Sequence, residues 1–108
     1  MSLLYQFDID SAEDIMQLLA QNLQKRRLEK GLSREALSEL SGVPAPTIAK
    51  FEQKYCISLS SYVSLAKALG YTKEIKALLS EPIYHTMEEL DRIHKNKNRK
   101  RGRNEISK

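Results

Sequence analysis

Tryptophan is absent from this chain, and 108 residues include one cysteine, two histidines and three prolines. A lone Cys56 excludes an intrachain disulfide, and with only His85 and His94 beside it no three- or four-ligand Cys/His zinc site can be built within one chain. No metal and no cofactor is expected. Runs of about 18 uncharged apolar residues are missing. The first 24 residues carry Asp8, Asp10, Glu13 and Asp14 but no Lys or Arg, so neither a membrane span nor a secretory leader is expected, and the protein is read as cytoplasmic and nucleoid-associated. There is no phosphate-cradling glycine run. Glu88, Glu89 and Asp91 stand at a helix start, where acids are favoured by the dipole, and the nearby histidines lack a nucleophile or third ligand. An enzyme is not expected.

Charge is present in abundance and is unevenly spread. The net +4 conceals eight Lys/Arg against Glu105 alone from Arg92 onward, +7, and ten against thirteen before it, −3. Within the body, residues 25–76 hold ten bases and five acids. Positive charge in the middle and at the tail points to a polyanionic partner.

Glycine at 31, 42 and 70 follows segments of helical periodicity, where a residue with φ > 0 ends a helix without steric cost. Ile15, Leu18, Leu19 and Leu23 repeat at helical spacing after the cap Ser11, predicting a helix over roughly 12–30 with this stripe inward. Ser33 caps a second helix through Leu40. SYVSLAKAL, after Ser60, places Tyr62, Val63, Ala66 and Leu69 on one stripe. Thr72 then caps TKEIKALL, where Ile75, Leu78 and Leu79 repeat the pattern. With no β-rich stretch over 11–82, the fold class is all-α, a bundle of five short helices.

Between the second and fourth helices stands GVPAPTIAKFE. Pro44 at the cap and Pro46 in the first turn mark a helix start, because proline's missing N–H is not needed there and its φ is already helical. Two helices joined by a tight glycine turn form a helix-turn-helix, whose second helix can enter the major groove. Ile48 and Phe51 face inward, leaving Ala45, Pro46, Thr47 and Lys50 for solvent or a groove. Thr47 and Lys50 can reach base edges or phosphate, whereas Ala45 and Pro46 offer apolar contact. Arg27 and Glu52 interrupt apolar stripes on the first and third helices. Buried charges persist when paired, so a salt bridge between them is expected.

LQKRRLEKGLSREALSELSGVPAPTIAKFE, followed by SLSSYVSLAKALG, resembles the lambda-repressor/Cro (XRE) helix-turn-helix class over residues 15–70. The resemblance implies the Arg27–Glu52 pair, a phosphate or base contact from Arg34, and a loop at Lys54 and Tyr55 lying along the DNA backbone. This chain departs from the pattern at Arg34 (usually Gln), Pro44 (usually Ser or Thr) and the missing loop glycine. ALGYTKEIKALLSEPIYHTMEELDRIHKNKNRKRGR is further similar to antitoxins of high-persistence (HipB-like) systems, which implies a homodimer on a twofold operator, autoregulation, and a HipA-type serine/threonine kinase as partner. A phage-type or metabolic repressor without that partner, or an adaptor using the same fold for protein interaction, are the alternatives.

The division expected is an N-terminal arm over 1–10, a DNA-binding domain over 11–82, a sixth short helix over 83–95 and a basic disordered tail over 96–108. In the arm, Tyr5, Phe7 and Ile9 alternate, so it is either a dimerising strand or a frayed end packed on the domain. Thr86 and Glu89 match a capping box, and Leu90 and Ile93 give the sixth helix an apolar edge. In the tail, Lys97, Arg99, Lys100, Arg101 and Arg103 are candidate DNA-backbone contacts. Truncation after Asp91 is expected to flatten the salt dependence of DNA binding by about 0.9 in log K per log salt for each phosphate that is no longer neutralised. Titrations at several salt concentrations measure the slope, and the preferred site is expected to stay the same.

Overall fold

Side chains that satisfy the free N–H groups of a first turn set most helix starts in this chain. A computed structural model describes residues 10–99. The described residues contain six helices and no strand: α1 (Ala12–Glu29), α2 (Arg34–Ser41), α3 (Ala45–Lys54), α4 (Leu59–Ala68), α5 (Thr72–Ala77) and α6 (Met87–Asn96). The N-terminal arm over 1–9 and the tail from 100 on, including Lys100, Arg101 and Arg103, lie outside the described residues.

Ser11 and Asp14 cap α1 reciprocally, each side chain accepting the other's backbone N–H at 3.0 and 3.2 Å. Ser33 and Ser58 accept from Ala36 and Ser61 in the same manner at α2 and α4. The fourth helix thus begins at Leu59, two residues before the SYVSLAKAL segment expected from the sequence, because Ser58 takes the cap. Its ending and that of α1 follow one plan. Gly31 and Gly70 adopt positive φ, and the next residue, Leu32 or Tyr71, donates its N–H five residues back to Arg27 or Ala66 while its side chain packs on the core.

Residues 10–76 and 77–99 form separate units. In the first, α3 packs on α1 and α2, and α2 on α4. Ala20, Leu23, Leu37, Val43, Ile48, Phe51, Leu65 and Leu69 make a continuous buried cluster, and Phe51 meets Tyr62 edge to face at 5.7 Å. Burial raises the Tyr62 hydroxyl's pKa above its ordinary value.

Three expected stripes are corrected. On α1, Ile15 and Leu18 are exposed, and the inward line is Met16, Ala20, Leu23 and Arg27. On α4, Leu65 is fully buried and Val63 faces outward. The fifth helix ends at Ala77, so Leu78 and Leu79 do not continue the Ile75 face; both are exposed, and Leu79 takes φ 59°.

In the second unit, Thr86 caps α6 by accepting the Glu89 N–H at 3.1 Å, and the Glu89 carboxylate reaches the N–H of His85. That N–H holds the Glu89 carboxyl below its usual range. The helix spans Met87–Asn96, so it starts four residues later than the expected 83–95, where Thr86 supplies the cap, and ends one residue past it.

Phe51 is the largest fully buried side chain, and truncation to Ala is expected to cost about 3–5 kcal/mol. Chemical denaturation monitored by circular dichroism measures the loss.

Candidate nucleic-acid interface

The turn between α2 and α3 is built from three residues with distinct tasks. Gly42 at φ 80° ends α2 in the left-handed region and donates to the Ser38 carbonyl. Val43 buries its side chain and gives its N–H to Ser41 Oγ at 3.1 Å. Pro44 caps α3 through its carbonyl alone, accepting from Thr47 and Ile48 at 2.9 and 3.2 Å. Pro46 follows in the first turn, where no N–H is needed. The start of α3 is thereby set by backbone geometry.

On α3 the inner and outer faces are sharply different. Ile48 and Phe51 are fully buried, whereas Pro46, Lys50 and Gln53 form an outer line at i, i+4 and i+7. Ala45 and Thr47 flank it at the N-terminal end of the helix. Gln53 extends this outer face beyond the four residues expected from the sequence, and its position seven after Pro46 was the available signal. The Gln amide can give a bidentate pair to adenine, and Lys50 can donate to guanine or phosphate.

Behind that face lies a carboxylate gripped from several sides. Glu52, whose side chain is only 1% exposed, accepts from Arg27 Nε at 2.8 Å and Arg27 Nη2 at 3.0 Å. Arg34 Nε and Nη2 reach the same carboxylate at 3.1 and 3.0 Å, and Gln24 Nε2 at 3.4 Å. Arg27 uses its remaining Nη1 on the Leu32 carbonyl at 2.8 Å, so every edge of its buried guanidinium has a partner. Two arginines face one carboxylate, and the group carries a net positive charge. The surplus is on Arg34, whose side chain is 31% exposed at the start of α2. Nothing in the sequence spacing signals the Arg34–Glu52 contact, because 18 residues and a turn separate the partners.

At the far end of α3, Lys54 is exposed and Tyr55 adopts φ 62°, the left-handed cap where glycine is usual. A non-glycine residue there costs about 1–2 kcal/mol. Packing of the Tyr55 ring against the core offsets that cost. Lys97 and Arg99 belong to the separate C-terminal unit and are exposed. No group of three or more His, Cys, Asp or Glu able to hold a metal occurs among the described residues. No helix among them is long and apolar enough to cross a membrane.

A short helix with a locked inner face and an open outer one, set behind a glycine turn and a capped partner helix, defines a helix-turn-helix domain. Residues 23–75 match the model of the family described as helix-turn-helix, which supports a DNA-binding transcription regulator of the lambda-repressor-like (XRE) kind. A domain of this family is a DNA-binding regulatory one, typically without catalytic function. Neither the curated proteins nor the solved structures yield a match to the chain.

Replacing Glu52 with Ala leaves a buried Arg27 without its counter-charge, and the loss expected is about 3–5 kcal/mol. Replacing Arg34 with Gln removes only the more exposed partner and is expected to cost about 1 kcal/mol or less. Urea titrations of the two variants measure the difference.

Proposed function

We propose that the chain is a repressor that binds a twofold-symmetric operator as a homodimer and occludes a promoter, including its own. The observation that supports this reading most directly is α3 itself. Its inner face is held by Ile48, Phe51 and the Arg27–Glu52 pair, while Pro46, Lys50 and Gln53 point away from the core. In this reading Thr47, Lys50 and Gln53 meet base edges, with Ala45 and Pro46 in apolar contact. Arg34, Lys54 and Tyr55 lie along phosphates, as do Lys97, Arg99, Lys100, Arg101 and Arg103 further on. Two copies of α3 enter successive major grooves about 34 Å apart. Hydrogen-bonding side chains on this face are few, so part of the selectivity comes from DNA shape.

The finer role, an antitoxin whose partner is a HipA-type serine/threonine kinase, rests on the sequence resemblance of the C-terminal third. A kinase seated away from α3 changes operator affinity by linkage in that role.

Fluorescence anisotropy with DNA from upstream of the gene and with a scrambled duplex tests the reading at two salt concentrations. A preference of about a hundredfold or more that survives added salt is expected. Equal, weak binding that disappears with salt would overturn it. Lys50→Ala is expected to weaken specific binding by about 1–3 kcal/mol with the melting temperature unchanged, since the side chain lies outside the core.

A further inference from the structure

Arg34 carries more hydrogen-bond donors than the fold uses. Its Nε and Nη2 face Glu52 Oε1 at 3.1 and 3.0 Å, whereas Nη1 has no acceptor among the described residues and is open to solvent. A guanidinium holds five N–H donors in one plane. Its side edge is therefore engaged, and the parallel pair at the end of the fork, one N–H from each Nη, is left over. The acid that holds the side edge is itself fixed, because Arg27 Nε and Nη2 grip it and Gln24 Nε2 approaches it.

Charge selects what the open end meets. Arg27, Arg34 and Glu52 sum to +1, and Arg27 uses its nitrogens on Glu52 and the Leu32 carbonyl. Glu52 is the one acid in a salt bridge with Arg34 among the described residues, so the surplus sits at the open end of Arg34. Two parallel N–H groups sharing one positive charge match two oxygens sharing one negative charge, the chemistry of a phosphodiester. A guanine edge also offers two acceptors, but it carries no charge.

We infer that Arg34 is a pre-oriented clamp that holds one DNA phosphate end-on through both Nη groups, and that Glu52 is the positioning residue that aims it. This deepens the repressor reading and rests on its DNA contact. What it adds is a task for geometry: Glu52 belongs to α3, so a phosphate held by Arg34 is tied through one carboxylate to the helix that meets the bases, and the clamp sets the register of α3 on the duplex. Lysine at 34 keeps the charge but has no fixed plane, and a glutamine amide places both its donors on one nitrogen.

Fluorescence anisotropy on the full chain tests the clamp, with the upstream duplex unmodified and with single neutral methylphosphonates placed in turn along each strand. Wild-type binding is expected to fall about tenfold at one position in each half-site, the loss of a charge-assisted two-point contact. Arg34→Gln is expected to lose about tenfold on unmodified DNA, to lower the salt slope by about 0.9, and to ignore the methylphosphonate at that position. Arg34→Lys is expected to keep the slope and still bind about fivefold more weakly. Glu52→Gln raises the net charge of the protein, which by itself favours DNA, yet it is expected to weaken binding about fivefold, with Arg34→Lys adding little to that loss. Circular dichroism at the assay temperature reports whether each variant is folded, and if Glu52→Gln is not, Arg34→Lys decides. An Arg34→Lys chain that binds as tightly as wild type, or a folded Glu52→Gln chain that binds as well or better, would overturn the inference. So would a wild type indifferent to every methylphosphonate whose Arg34→Gln variant loses its preference at a single G·C pair, since Arg34 then reads guanine. A wild type that prefers neither the upstream nor the scrambled duplex sinks the repressor reading itself, whereas one that prefers the upstream duplex while the variants match it sinks the clamp alone.

Discussion

The Glu52 carboxylate is the point through which three helices are joined. Arg27 reaches it from α1, Arg34 from the first residue of α2, and the acid itself belongs to α3. Apolar packing of Ile48 and Phe51 pulls α3 onto its neighbours, but hydrophobic contact is non-directional and leaves the helix free to slide or roll. A nearly fully buried carboxylate with charged donors at 2.8–3.1 Å tolerates little such motion. Rotating α3 would leave a buried acid and a buried guanidinium without partners. The outer residues of α3 inherit their bearing from this constraint.

Arg34 gives the network an asymmetric character. Arg27 is enclosed and uses all three of its guanidinium nitrogens within the protein, so it serves the fold. Arg34 spends Nε and Nη2 on Glu52 and is partly open to solvent, so the same guanidinium is both oriented and left with a free edge. An orienting carboxylate reduces the side-chain entropy lost when that edge meets a phosphate. Substituting lysine would keep the charge and lose the fork that allows the two tasks together.

Much of the helical framework is legible in the residues. Gly31, Gly42 and Gly70 all adopt positive φ, and the serine caps and the two prolines mark starts through local chemistry alone. Local rules fail where a tertiary choice intervenes. Ile15–Leu18 and Met16–Ala20 both satisfy helical spacing on α1, and only the neighbours of the second line decide that it turns inward. Leu78 and Leu79 continue an apolar period after Ile75, yet the chain leaves the helix at Ala77, because periodicity describes a face and not what will cover it. On the candidate interface, the outer position of Lys50 follows from the period of Ile48 and Phe51. The hold on Arg34 does not, since it depends on how α2 crosses α3.

The two prolines at the start of α3 have a consequence outside the folded state. Pro44 and Pro46 restrict φ at two of three successive residues in the unfolded ensemble. Fewer conformations are surrendered when this turn forms. Thr47 and Ile48 find the Pro44 carbonyl as acceptor, and no side chain has to be ordered for it. The entropy of the denatured chain is thereby lowered at the segment whose first turn must hold its geometry against solvent.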